Sequence, residues 1–167
     1  MRDILLRLAI SPTALYTPIW STSILDELQR NLREQVRLRP EHIDRLLARL
    51  RANFPSAAID PDAEVVRRMP NQAGDRHVLA TAVMAEARLL VTNNVRDFRG
   101  ARWIGVRVQT PDEFLSALLD EHPDAVRAAV AAQAAEMHSP PVSVEDLIDR
   151  YGVVGMLLFA DRLRQTA

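Results

Sequence analysis

The sequence contains no cysteine and no lysine. Without cysteine, the chain of 167 residues has no disulfide, no thiolate metal site and no cysteine nucleophile. All 21 basic residues are arginine, and with 22 acidic residues they give a net charge of −1. The chain as a whole therefore has no electrostatic attraction for nucleic acid or for an anionic membrane. Any binding of nucleic acid must come from a local patch of charge.

Long apolar runs and the common catalytic motifs are also missing. The run "ILLRLAI" at 4–10 is interrupted by Arg7 and is too short for a membrane span or a normal signal peptide, which predicts a cytoplasmic protein. The sequence has no G-x-S-x-G, no P-loop and no G-x-G-x-x-G, and its four histidines do not have zinc-site spacing. These absences exclude the common hydrolase, nucleoside-triphosphatase and dinucleotide-binding classes.

Helical and strand patterns alternate along the first two thirds of the chain. We predict helices at 2–9, from Ser21 or Thr22 to about 36, at 41–53 and at 75–86, and strands at 56–60, 88–92 and 105–110. Residues 61–74 are expected to be irregular, with one turn of helix. This alternation predicts an α/β domain with a largely parallel sheet.

The character of the sequence changes after Thr110, a predicted N-cap for "PDEFLSALLDE". From 111 to 167 the pattern indicates three or four helices and no strand. We therefore place a domain boundary near 110, between a domain at 1–110 and a helical C-terminal region at 111–167.

Three acidic residues lie where an α/β protein places its ligand sites. On a helical wheel Glu27 falls on the shoulder of the apolar face, whereas Asp26 points to water. Asp75 falls within the buried stripe at the start of its helix, and Asp97 follows the strand "RLLVT". With Thr92 and Asn94 at the same sheet edge, these hard oxygen ligands suit Mg²⁺ or Mn²⁺.

Each of these acids also has a purely structural interpretation. Glu27 could be a solvated side chain that pairs with Arg30 or Arg33. Asp75 could be a helix N-cap after Gly74, because Asp is a preferred cap. Asp97 could be an ordinary turn residue, and His77 is predicted to face outward as a surface side chain. The sequence leaves these interpretations open.

Two stretches together resemble the PIN-domain nucleases, in particular the VapC-like toxins of bacterial toxin–antitoxin pairs. They are "STSILDELQRNL" at 21–32 and "DRHVLATAVMAEARLLVTNNVRDF" at 75–98. The resemblance covers about 2–110, and the helical region at 111–167 is similar to the C-terminal extension of one subgroup. It implies a PIN-like fold with a mostly parallel central sheet flanked by helices, followed by the all-helical C-terminal region.

The resemblance also implies a site and a function. Glu27, Asp75 and Asp97 would hold Mg²⁺ or Mn²⁺ and carry catalysis, with Thr92 and Asn94 in support. Many relatives have Asp where this chain has Asn94, and Asp97 is expected to take over its role. The implied activity is a metal-dependent endoribonuclease that acts on RNA and pairs with a cognate antitoxin. Four arginines are candidates for guiding the phosphates: Arg30, Arg33, Arg76 and Arg96.

The chain departs from the family at its start. Relatives open with a strand that ends in Asp, whereas here "RDILLRLA" follows Met1 directly and resembles the first helix. We expect the first strand and its acid to be missing, through a cut or misassigned start or through a natural lesion. Activity is then expected to be impaired, and a second copy of the chain or an N-terminal peptide is expected to fill the sheet. The alternative functions are a non-catalytic PIN-like remnant that binds protein and a plain helical interaction protein.

Overall fold

The structure, a computed structural model, describes residues 2–10 and 14–165. Residues 1 and 166–167, at the ends of the two predicted regions, lie outside the described residues. The helices in the described part are α1 Arg2–Ile10, α2 Thr22–Glu34, α3 Pro40–Asn53, α4 Ala63–Arg68, α5 Arg76–Met84, α6 Pro111–Glu121, α7 Pro123–Ala135, α8 Val144–Val153 and α9 Leu157–Gln165. The strands are β1 Leu89–Val91 and β2 Arg107–Gln109, and 3₁₀ turns occupy Ala73–Asp75, Val95–Phe98 and Ala101–Ile104.

The chain divides into two compact units. The first contains the described residues up to Thr17, then Val91–Asn93, and the chain from Gln109 onward. The second contains Pro18–Leu90 and Asn94–Val108. Helix α1 therefore groups with the C-terminal helices, and the predicted division into domains at 1–110 and 111–167 stays a prediction.

Helix α2 begins where the sequence predicts, because its N-cap chemistry is local. The Ser21 hydroxyl accepts a hydrogen bond from the Ile24 amide at 3.4 Å, and Asp60 accepts bonds from the Thr22 amide and hydroxyl at 2.7 and 2.8 Å. Leu25 and Leu32 are the buried residues of α2, and the helix packs against α3 and α5. The helix ends two residues before the predicted 36, and Val36 is exposed.

The second unit has a core built around α5. Leu79 and Ala80 of that helix are fully buried, and Phe98 and Val106 pack into the same cluster. The 3₁₀ turn Val95–Phe98 is thereby fixed against the helix that Asp75 precedes.

The sheet is much smaller than predicted. Strands β1 and β2 form a two-stranded parallel sheet, in which the Arg107 amide donates to the Arg88 carbonyl and the Thr92 amide to the Gln109 carbonyl, both at 2.9 Å. The predicted strand at 56–60 is wrong as a strand, since only a single parallel bridge joins Ala58 to Trp20. Among the described residues, pairing is limited to the two bonds of this bridge, in which the Trp20 amide donates to the Ala57 carbonyl and the Ile59 amide to the Trp20 carbonyl, both at 2.9 Å. The α/β class is confirmed in the coarser form of a small parallel sheet with helices.

The first unit contains four helices after Thr110, as predicted, in its described part. Thr110 and Glu113 form a capping box, with the Glu113 amide 3.2 Å from the Thr110 hydroxyl and the Thr110 amide 2.8 Å from the Glu113 carboxylate. Tyr151 and Phe159 are buried between α8 and α9, and their ring centroids are 5.5 Å apart. None of the helices in 2–10 and 14–165 is long and apolar enough to cross a membrane.

Candidate functional site

The segment at 72–77 connects the predicted site residues of the second unit. It contains the 3₁₀ turn Ala73–Asp75 and the first turn of α5. Gln72, at its start, donates a hydrogen bond through Nε2 to Oδ1 of Asp97 at 3.3 Å. His77, near its end, places Nε2 3.4 Å from Oε1 of Glu27. Asp75 lies between these two contacts in the sequence.

Asp75 stands at the N-cap position of α5, but its side chain makes no capping hydrogen bond. Its backbone angles, φ −105° and ψ 5°, differ from the extended conformation in which Ser21 caps α2. The side chain is half-buried. The structural interpretation of Asp75 as a simple cap therefore loses its main support, and the carboxylate is not used by the helix that it precedes.

Asp97 is held at both carboxylate oxygens. Gln72 donates to Oδ1, and Nδ2 of Asn94 donates to Oδ2. The Asp97 amide also donates to the Asn94 carbonyl at 3.2 Å, which closes the 3₁₀ turn. An acid fixed in this way is more than a loosely placed turn residue, and Asn94 acts here as a donor that orients it.

Glu27 and His77 join α2 to α5, and this corrects the prediction that His77 faces outward. The His77 side chain is only 17% exposed, because α2 covers it, and that of Glu27 is 45% exposed. Their 3.4 Å separation is an ion-pair distance if the imidazole is protonated, but it lacks hydrogen-bond alignment. His77 Nε2 therefore has no hydrogen-bond partner in the described part of the chain. Asp26 is exposed, as the helical wheel predicts.

The predicted supporting and guiding residues have different surroundings. Thr92 belongs to the first unit, whereas the three acids and Asn94 belong to the second. Arg30, Arg33 and Arg96 are exposed. Arg76 is half-buried, and its Nε donates to the Asn71 carbonyl at 3.2 Å.

Sequence reasoning missed Asn71 and Gln72. Asn71 is 6% exposed, and neither atom of its side-chain amide has a hydrogen-bond partner in the described residues. An unpaired buried amide lowers the stability of the fold by about 1–3 kcal/mol, so the fold itself does not account for Asn71. The signal available in the sequence was the polar cluster "PNQAGD" directly before an apolar helix.

The donor chemistry of these residues fits the Mg²⁺ or Mn²⁺ that the family resemblance implies. Carboxylate and amide oxygens are the ligands that both ions prefer, and the uncapped Asp75 and the orphaned Asn71 amide are polar groups that the fold itself does not use. Within residues 2–10 and 14–165, no group of three His, Asp or Glu side chains is assembled as a metal site. Glu27 instead contacts His77, and Asp97 contacts Gln72 and Asn94.

Two comparisons with known proteins found similar sequences. Residues 111–165 match the family model "VapC50 C-terminal domain". The protein "Putative ribonuclease VapC50" of Mycobacterium tuberculosis is 31% identical over 91 residues, which are 53% of this chain and 54% of that protein. The chain therefore spans about half the length of the curated relative that it matches. No solved structure matches the chain. The helical region after Thr110 is thus similar to the VapC50 C-terminal domain, and the chain is similar to a VapC-type relative over about half the length of each protein.

Proposed function

We propose that the chain is a metal-dependent endoribonuclease of toxin–antitoxin type, with RNA as its substrate. The observation that carries this proposal is the segment at 72–77, where the uncapped, half-buried Asp75 lies between a residue that binds Asp97 and a residue that contacts Glu27. The name of the relative, which describes a ribonuclease, supports the same activity.

In this proposal the three acids have one shared role. Glu27, Asp75 and Asp97 would hold Mg²⁺ or Mn²⁺, and Asn94 would support them. The supporting role of Thr92, which belongs to the first unit, stays a prediction. A bound divalent ion would supply an activated water and would offset the negative charge that develops on the phosphate. Gln72 and Asn94 fix the orientation of the Asp97 carboxylate through one donor on each oxygen. His77 restricts Glu27 to the side of α2 that faces α5.

The proposed guiding residues fall into two groups. Arg30, Arg33 and Arg96 are exposed and can reach phosphates in solution. Arg76 is tied to the Asn71 carbonyl, so its role would be to position the segment that carries Asp75. The proposed partners are RNA, a cognate antitoxin and a second copy of the chain. A cytoplasmic location also stays a prediction.

The test is cleavage of a fluorescent single-stranded RNA with Mn²⁺, with Mg²⁺ and with EDTA. We expect cleavage with either metal, none with EDTA, and loss of cleavage in Asp75→Asn. The matched control is Asp124→Asn, because the Asp124 side chain is fully exposed in the other unit. The affinity for Mn²⁺, measured by calorimetry, should fall in Asp75→Asn and stay unchanged in Asp124→Asn. Cleavage that persists in EDTA or in Asp75→Asn would contradict the proposal.

A second candidate function is a non-catalytic module that binds protein. It is favoured by the lack of an assembled group of three metal-ligating side chains in the described residues. In that case the chain would bind its antitoxin with normal affinity, would bind no Mn²⁺, and would cleave no RNA in any metal.

A further inference from the structure

The segment Asn94–Val108 carries a basic surface next to the candidate site. The segment contains four arginines and one aspartate, for a net charge of +3, whereas the whole chain has a net charge of −1. Arg96 and Arg102 lie in two separate 3₁₀ turns, and Arg99 lies between these turns. Positive charge is thus concentrated on one short stretch of a chain that is otherwise balanced.

These arginines are not neutralised by the protein. Arg99, Arg102 and Arg107 are exposed, and none of them forms a salt bridge with an acid of the described residues. Arg7 and Arg164, by contrast, each bind two carboxylates. The guanidinium of Arg102 lies 5.9 Å from the ring centroid of Trp103, a distance at which a cation and an aromatic ring attract each other. The charge of this surface is therefore available to an anion.

One aromatic side chain of the segment, Trp103, is largely exposed to solvent. Trp103 is 75% exposed, whereas the other tryptophan of the chain, Trp20, is 8% exposed. The 3₁₀ turn that carries Trp103 is fixed at both ends, because Ala101 is fully buried and Val106 is 2% exposed. Anchors on both sides hold a large ring in solvent, where it gains nothing for the fold.

A cleft lies in the same segment and is lined in part by Arg102, the neighbour of Trp103. It has a volume of about 470 Å³ and is lined by Val95, Phe98, Arg99, Arg102, Val106, Arg107 and Val108. Its lining thus combines apolar side chains with three arginines and contains no acid. Val95 and Phe98 of this lining belong to the same 3₁₀ turn as Asp97.

We propose that Trp103, Arg99, Arg102 and Arg107 form a binding surface for single-stranded RNA, here called the Trp103 surface. A base would stack on the Trp103 ring, and the arginines would hold the adjoining phosphates. Arginine beside an exposed aromatic ring is the combination that single-strand binders use, since every base has a face that can stack. The proposal rests on the proposed function in assigning RNA as the substrate, and its residues share the segment Asn94–Val108 with Asp97.

The test measures binding apart from cleavage. A labelled RNA of about 12 nucleotides, within the site sizes of single-strand binders, is titrated in EDTA and followed by anisotropy. Trp103→Ala should raise the dissociation constant about 5- to 100-fold, whereas Trp103→Phe should restore most of the affinity. RNA should also quench the emission of Trp103 and not that of the buried Trp20, so the quenching should vanish in Trp103→Phe.

The arginines are tested through salt dependence. Changing Arg99, Arg102 and Arg107 together to Gln should reduce the slope of log K against log salt by about 2, given about 0.7 per phosphate contact on a single strand. The matched control is the same change at Arg45, Arg49 and Arg51, three exposed arginines on α3, a helix that carries no Phe, Tyr or Trp. This control should keep the wild-type slope and affinity.

Three results would overturn the proposal. They are an equal loss of affinity in the α3 control, wild-type affinity in Trp103→Ala, and displacement of the RNA by polyglutamate at matched charge, which would mark a surface for acidic protein. Failure of the proposed function is recognised separately. RNA that binds through Trp103 and is not cleaved in Mn²⁺ would leave this surface in place and remove the nuclease activity. If Trp103→Ala cleaves RNA with unchanged kinetics, the nuclease activity stands and the Trp103 surface is removed.

Discussion

Glu27 Oε1 lies 3.4 Å from His77 Nε2, and this contact connects the middle of α2 to the first turn of α5. The neighbouring acid, Asp26, points in a different direction from the same helix and is exposed. Two carboxylates that are adjacent in the sequence therefore have different surroundings, and only one of them faces the helix that begins after Asp75.

This difference gives a matched pair of variants. Glu27→Gln should lower metal-dependent RNA cleavage about 10- to 100-fold, the loss typical of residues around a bound metal. Asp26→Asn removes the same charge from the same helix and should leave cleavage unchanged. Initial rates at saturating Mn²⁺, with circular dichroism to verify folding, measure both. Equal loss in the two variants would mean that Glu27 acts only through the net charge of α2.

The helices could be predicted well because their signals are local. Ser21 caps α2, Pro40 opens α3, and Thr110 with Glu113 opens α6, and each signal lies within four residues of the helix start. The helical wheel of α2 also separated Glu27 from Asp26 correctly. These features depend on 3.6-residue periodicity and on capping chemistry, both of which can be read directly from the sequence.

The contacts of the site could not be predicted, because they join residues far apart in the sequence. Gln72 binds Asp97 across 25 residues, and His77 meets Glu27 only because α2 packs on α5. The wheel of α5 alone put His77 on the outer face, since one helix carries no information about what covers it. The strand predicted at 56–60 failed for the same reason, since pairing depends on partners elsewhere in the chain.

Gly100 should be sensitive to substitution because its surroundings leave no room for a Cβ. A Cβ at this position would lie 2.7 Å from Cγ and 2.9 Å from Cβ of Pro70, and the proline ring cannot rotate away. Gly100→Ala is therefore expected to lower the free energy of unfolding by about 1–3 kcal/mol, the usual cost of overpacking. Urea titration of the purified variant measures this change.

Gly74→Ala is the control for this prediction. A Cβ on Gly74 would meet nothing within 4 Å, so its effect should stay within about 0.5 kcal/mol. If Gly100→Ala is as stable as Gly74→Ala, the contact between Pro70 and Gly100 is not tight in solution.

The pairing of Arg7 with Glu136 should make stability depend on pH. The two terminal nitrogens of Arg7, Nη1 and Nη2, donate to the Glu136 carboxylate at 3.0 and 2.5 Å. This hydrogen bonding lowers the pKa of Glu136. A carboxylate whose folded pKa is lowered stabilises the protein above its unfolded pKa of about 4.3. That contribution is lost as the pH falls through the folded pKa. The difference in melting temperature between wild type and Glu136→Gln should therefore be largest near neutral pH and should shrink in acid.

Glu121→Gln is the control for the pH series. Glu121 is exposed and forms no ion pair with a described residue. The melting temperature of Glu121→Gln should therefore follow that of the wild type across the same pH range. If the difference in melting temperature between wild type and Glu136→Gln stays constant down to the lowest pH, the pair stabilises the protein through packing and not through its charges.

The hydrogen bond between Tyr151 and Gln133 should couple the effects of substituting these two residues on the free energy of unfolding. The Tyr151 hydroxyl donates to Oε1 of Gln133 at 2.7 Å, and the two residues are 1% and 7% exposed. Burial also raises the pKa of Tyr151, so the hydroxyl keeps its proton throughout the usual range of measurement. Tyr151→Phe leaves the Gln133 oxygen without this donor, and Gln133→Leu leaves the hydroxyl without this acceptor. Each should cost about 1–3 kcal/mol of unfolding free energy.

The double variant decides whether these costs come from one interaction. Tyr151→Phe with Gln133→Leu removes both polar groups, so it should be more stable than the sum of the single losses predicts, by about 0.5–3 kcal/mol. Ser116→Ala is the control, because Ser116 is 2% exposed and its hydroxyl has no hydrogen-bond partner in the described residues. Removing that hydroxyl should leave the stability unchanged or raise it. Strict additivity of the two single losses, measured by urea unfolding, would mean that each side chain is satisfied elsewhere and that the Tyr151–Gln133 bond does not hold α7 and α8 together.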